Sequence, residues 1–272
     1  ADAGIITPVL VGPRARVEAA ALALGRSLEG LELVDTPHSH ASAEQAVACI
    51  RAGRGTMLVK GSLHSDELLG EVMKRDTGLR TERRISHIFA MSVPTYAQPL
   101  FITDAAVNIH PDLDAKRDIV QNAIDLVTAL GLEAKVAILS AVETVTLKIP
   151  STVDAAALCK MAERGQITGG VLDGPLALDN AITPEAARIK GIHSPVAGQA
   201  NILVVPDLEA GNMLAKNLTF LANADAAGVV LGARVPIVLT SRADSPRARM
   251  ASCAVAALFA EWRQRQQPIA GS

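Results

Sequence analysis

Aromatic side chains are scarce: Phe, Tyr and Trp make up 2% of the 272 residues, with one Trp and one Tyr. A protein that stacks bases on aromatic platforms and neutralises their phosphates needs both rings and excess positive charge. Here 26 Lys and Arg stand against 28 Asp and Glu, a formal charge of −2, so nucleic acid is not an expected partner. Long apolar runs are missing too. The longest, Ala254 to Ala260 with its neighbours, falls well short of the ~20 residues of a membrane span. No charged-then-apolar leader opens the chain, and we expect a cytoplasmic protein with no membrane partner. Cysteines are few: Cys49, Cys159 and Cys253 lie far apart with no C-x-x-C pair, which points to reduced thiols rather than a disulfide framework. Absent as well are the phosphate-binding G-x-x-x-x-G-K-[ST], the dinucleotide G-x-G-x-x-G, the zinc-protease H-E-x-x-H and the hydrolase G-x-S-x-G. "HSH" at His38–His40 lacks a clustered third ligand, so we expect two exposed loop histidines, no metal and no tightly bound cofactor.

What the chain does have is apolar bulk, 49% hydrophobic residues, ample for one core or two smaller ones. Short apolar runs bounded by Gly, Pro or Asp read as buried strands: "PVLV", "TMLV", "HIFAMSV", "PLFIT", "KVAIL", "GGVLD", "NILVV", "GVVL" and "PIVL". Helical patterns separate most of them. The clearest places Ile119, Val120, Ala123, Ile124, Val127 and Leu130 on one face and stops at Gly131. Such alternation predicts an α/β fold with mainly parallel strands. The exception is "HIFAMSVPTYAQPLFIT", where the connection has no room for a helix and an antiparallel hairpin is expected.

In open α/β sheets ligands bind beyond the carboxyl ends of strands, where helix N-termini offer free N–H groups. Four such junctions are polar: "LVKGSLHSDE" with Lys60 and Gly61, "DAAVNIHPD" with Asn108, "VVPDLEAGNMLAK" with Asp207, Gly211 and Asn212, and "TSRADSPR" with Ser241, Arg242 and Asp244. Ser65 suits the cap of the helix after the first, and Ser245 followed by Pro246 suits the start of the last. Turns and caps alone account for the Asp and Ser residues. Arg242 is different, because a guanidinium beside a helix N-terminus opposes the dipole unless an anion sits between them.

Together "DGPLALDNAI", "SPVAGQANILVVPDLEAGNMLAK" and "VPIVLTSRADS" resemble the phosphate acetyltransferase and phosphate butyryltransferase family, closest to the acyltransferase part of bifunctional enoyl-CoA hydratase/phosphate acetyltransferases. The resemblance implies a two-lobed isocitrate/isopropylmalate dehydrogenase-like fold with an interlobe cleft. Residues 1–85 with 229–272 would form lobe one, and 86–228 lobe two. It implies reversible transfer of an acetyl or butyryl group between CoA and phosphate by direct attack, with coenzyme A or acyl-CoA as substrate, acyl phosphate as product, and a homodimer. In the family pattern Ser241 and Arg242 are active-site residues. Lys60, Gly61, His64, Arg84, Asn108, Asp207, Gly211 and Asn212 are the expected substrate-binding set.

Two departures matter. Acetyl-type members carry a carboxylate, proposed to take the thiol proton, where this chain has Ala248, which leaves Asp244 as the nearest replacement or as a helix-dipole partner. They also carry an arginine where this chain has Leu69, so Arg83, Arg84 or Lys60 would supply the charge. The relatives have a further N-terminal strand, and the chain is expected to lack it. A fused upstream hydratase domain is compatible with the likeness. A non-catalytic acyl-CoA-sensing and oligomerisation module of the same fold is the alternative, kept alive by Ala248. A metal-dependent decarboxylating dehydrogenase would need an aspartate cluster that the sequence does not show.

Overall fold

The computed structural model describes residues 1–239, 241 and 244–266. In chain order the elements are β1 (Val9–Gly12), α1 (Arg14–Ala23), β2 (Glu32–Asp35), α2 (Ser39–Arg51), β3 (Leu58–Val59), α3 (Ser65–Val72), β4 (Ser86–Ser92), β5 (Leu100–Thr103), α4 (Leu113–Ala129), β6 (Ala134–Leu139), α5 (Pro150–Glu163), β7 (Gly170–Leu176), α6 (Leu178–Ile182), α7 (Pro184–Ile189), β8 (Ile202–Val204), α8 (Leu208–Leu221), β9 (Asp225–Leu231), β10 (Ile237–Val238) and α9 (Pro246–Gln266). They divide between two compact units, Ala1–Glu82 with Ala233–Ser272, and Arg83–Gly232.

The discontinuous unit contains two parallel strand pairs, β1 with β2 and β3 with β10. β2 carries no sequence signal of its own. "ELVD" is four residues long with charged ends and is only half buried, so neither alternation nor an apolar run marks it.

In the continuous unit the strand order is β9-β4-β5-β8-β6-β7. β5, β8, β6 and β7 run parallel, while β4 is antiparallel to both β5 and β9. The hairpin expected between β4 and β5 is present, pairing Ile88 with Thr103 and Met91 with Leu100. On one face α4 lies against β4, β5, β6 and β8 and buries Ile119, Val120, Ala123, Ile124 and Val127. Gly131 ends that helix at φ 76, the left-handed position where a side chain is strained. A separate apolar cluster joins Met91, Ile102, Ala137, Leu139, Leu176, Leu203 and Ala215 of α8. Fully burying each large aliphatic chain contributes about 1.5–3 kcal/mol, and this two-sided burial explains why the strands read as continuous apolar runs.

Candidate active site

In the discontinuous unit the exits of β3 and β10 are neighbours. Lys60 follows β3, and its N–H donates to the Val238 carbonyl at 2.9 Å. Its side chain is buried, with Nζ donating to the carbonyls of Gly61 (3.3 Å) and Leu63 (3.1 Å). The sequence placed the cap of α3 at Ser65, but the cap is His64. The spacing decides it: a capping box needs an acid three residues on, and only His64 has one, Glu67, which accepts the His64 N–H at 3.0 Å. That bond and the Ser39 hydroxyl hold the Glu67 carboxyl below the ordinary glutamate range. Gly61 is exposed, and a Cβ there meets nothing among the described residues. Both "HSH" histidines are exposed: His38 lies just before α2 and caps it, accepting the Ala41 N–H at 3.2 Å, while His40 is not a loop residue but lies in the first turn of the helix beside Glu71.

Beyond β10, Arg242 lies outside the described residues, as do Thr240 and Ala243. Asp244 accepts the Ser241 N–H at 2.7 Å, while the Asp244 N–H donates to the Ser241 carbonyl, and Ser241 is exposed. Ser245 caps α9 as its position before Pro246 suggests, accepting the Ala248 N–H at 3.1 Å.

In the continuous unit the other five candidates gather around the exits of the adjacent parallel strands β5 and β8. Asp104, which the sequence reading passed over, organises them. It is 2% exposed, and its carboxylate accepts the N–H groups of Ala106, Val107 and Asn108 at 2.9 to 3.1 Å and Asn108 Nδ2 at 2.6 Å. An aspartate at a strand end followed by small residues was the available signal, since Asp folds onto N–H groups two and three residues on. Asn108 also donates Nδ2 to the Ile85 carbonyl at 2.9 Å and accepts Arg84 Nε at 2.6 Å. Asp207 caps α8, accepting the Ala210 N–H. Gly211 then lets that helix approach: a Cβ would stand 2.8 Å from the Asp104 carbonyl oxygen and 2.8 Å from Val205 Cγ2. Asn212 Nδ2 donates to the Ala105 carbonyl at 3.2 Å, and the Leu208 N–H to the Ile109 carbonyl. Farther along the sheet, Asn180 at the β7 exit is fully buried, with Nδ2 toward Glu143 at 3.4 Å and no partner for Oδ1 among the described residues.

Residues 39–257 match the family model described as "Phosphate acetyl/butaryl transferase". The chain belongs to that family. It is 71% identical over 271 residues to a phosphate acetyltransferase of Rhizobium meliloti, covering 99% of this chain and 86% of that protein. To a phosphate butyryltransferase of Clostridium acetobutylicum it is 42% identical over 258 residues, covering 94% and 86%. Among solved structures, a phosphotransacetylase from Streptococcus pyogenes superimposes with a TM-score of 0.83 at 23% identity, covering 96% of this chain and 88% of that one. A 4-hydroxythreonine-4-phosphate dehydrogenase from Klebsiella pneumoniae does so with a TM-score of 0.51 at 14% identity, covering 93% and 90%. These two show a shared fold, and the second bears out its dehydrogenase-like character.

Proposed function

We propose that the protein is a phosphate acyltransferase that moves a short acyl group reversibly between CoA and inorganic phosphate. The carrying observation is membership of the family together with 71% identity, across 99% of the chain, to a protein named phosphate acetyltransferase. An oxygen of hydrogen phosphate attacks the thioester carbonyl, the C–S bond breaks, and the CoA sulfur leaves and takes up the proton that the phosphate gives up. Nothing in that sequence of steps requires a tightly bound cofactor.

The chemistry asks for an anion site, donors for the oxyanion and a path for the thiol proton. Arg242 is assigned to phosphate, for which its planar fork of donors suits it. Ser241 would meet the sulfur or the oxyanion. Asp244 would hand a proton to the leaving sulfur and take it from the thiol in the reverse direction, a role supported by its position beside Ser241; Ala248 stands where the resemblance implies a carboxylate in acetyl-type members. Lys60, Gly61 and His64 after β3, and Arg84, Asn108, Asp207, Gly211 and Asn212 around β5 and β8, are the proposed substrate-binding groups. Strand exits of this kind are where α/β proteins hold ligands. Asp207 and Gly211 would act through shape, since one caps α8 and the other seats it. A cytoplasmic homodimer belongs to the same proposal. No described helix is long and apolar enough to cross a membrane. On α8, Met213, Phe220 and Leu221 are exposed, apolar surface of the sort a second copy would cover.

The test is CoA release from acetyl-, propionyl- and butyryl-CoA with and without phosphate. Release that requires phosphate is expected. Binding of acyl-CoA without turnover would favour the sensing module instead.

A further inference from the structure

Arg84 differs from the arginines around it. Arg83 pairs with Asp125, and Arg117 pairs with Asp114 and Asp118. Among the described residues no carboxylate pairs with the Arg84 guanidinium. Asp118 takes its backbone N–H at 2.9 Å, while the other oxygen of Asp118 serves Arg117. Among the described residues the Arg84 side chain is held through Nε, by Asn108 Oδ1 at 2.6 Å.

That hold is directional. Asn108 is 5% exposed, and its Nδ2 is fixed by the Ile85 carbonyl and Asp104, so its oxygen must face Arg84. A flip would set the amide oxygen against the Asp104 carboxylate and the NH₂ against the guanidinium. Asp104 in turn accepts the N–H groups of Ala106, Val107 and Asn108, which would otherwise make an anion-binding nest. An incoming anion finds that turn already filled. What is offered instead is the Nη edge of Arg84, with fixed direction and no neutralising acid among the described residues.

Resting on the acyltransferase reading above, we propose that Asp104, Asn108 and Arg84 form a relay that presents a fixed guanidinium edge to a phosphate group of the substrates, with Asp104 and Asn108 as positioning residues. The phosphate is either one carried by CoA or the reacting inorganic anion. Their chemistry toward arginine is the same: a charge-assisted two-pronged bond that lysine cannot reproduce.

The experiment uses the whole protein and the variants Arg84→Gln, Arg84→Lys, Asn108→Ala and the double Arg84→Gln/Asn108→Ala. Calorimetric affinities for CoA and for inorganic phosphate are measured beside steady-state kinetics, with thermal unfolding recorded separately. Arg84→Gln should weaken one of the two ligands by roughly tenfold or more and raise its KM to match, with kcat changed by less than about threefold, as expected for binding shared by ground and transition states. Arg84→Lys should recover only part. Asn108→Ala should weaken the same ligand, but not further once Arg84 is Gln, because it acts through the guanidinium. If CoA is the ligand affected and an acyl-pantetheine lacking phosphates is indifferent to Arg84, the group belongs to CoA. If inorganic phosphate is affected, it is the reacting anion. Affinities for both ligands that ignore Arg84, or equal Asn108→Ala effects in both backgrounds, would overturn the relay even with normal turnover. Arg84-dependent binding without turnover would leave the relay standing and sink the acyltransferase reading.

Discussion

The exits of β3 and β10 in one unit and of β5 and β8 in the other carry similar residues, yet they are built differently. Around β5 and β8 the two central polar residues, Asp104 and Asn108, are buried and bonded to each other, with Asp104 taking three backbone N–H groups and one side-chain amide. After β3 and β10, the buried Lys60 apart, the polar groups make local bonds and caps near the surface, as in the His64–Glu67 box and the Ser241–Asp244 pair. A buried network fails expensively when one member is removed, because its partners are stranded without water. An exposed cap loses only its own bond. Loss of function without loss of stability should therefore concentrate at the β3 and β10 exits, and coupled loss of both at β5 and β8.

The largest effect expected is at Arg242. On the proposed role, Arg242→Ala lowers phosphate-dependent turnover about 100-fold or more, equivalent to roughly 3 kcal/mol, and lysine rescues poorly. Thermal unfolding should hardly move, since the Ser245 cap and the buried Ala256 and Phe259 of α9 remain. Unfolding with normal turnover in the surviving fraction would make the arginine structural. The glycine pair sharpens the contrast next. Gly211→Ala should cost about 1–3 kcal/mol in denaturant titration, because its Cβ meets backbone at Asp104. Gly61→Ala, with open space around it, should stay within about 0.5 kcal/mol of wild type. Asp207→Ala removes the α8 cap, at about 1 kcal/mol. The smallest effect is at Glu67. Its folded carboxyl titrates below the ordinary glutamate value, chiefly through the His64 N–H and then Ser39. A depressed acid contributes stability above its unfolded pKa and loses it as pH falls through the folded one. The contribution is small at this exposed position, and a side-chain NMR titration with an ordinary or raised midpoint would contradict the box.

Legibility in the sequence followed burial. Strands covered on both faces, such as "KVAIL" and "NILVV", announced themselves, and so did the α4 face ending at Gly131. β2 did not, because a half-exposed four-residue strand has no apolar run to betray it. Junction residues were found by type, but their division of labour was not. Ser245 read correctly as a cap because that is a local pattern, whereas Asp207, expected among the substrate-binding residues with a turn or cap as the plainer account, caps α8. Ser65 suits a cap by type because hydroxyls dominate caps, whereas the partner that decides for His64, Glu67, lies three residues on from it. Asp104 was missed since its role appears only when the β5 exit folds back on itself and α8 arrives from a hundred residues away.

One measurement tests the central claim most directly: the rate of CoA release from acetyl- or butyryl-CoA by the wild-type protein as phosphate is varied from zero to saturation. The account predicts saturable, phosphate-dependent release with one acyl phosphate formed per CoA, and the reverse reaction from acyl phosphate and CoA. Tight acyl-CoA binding with no phosphate-dependent release at any concentration would contradict it.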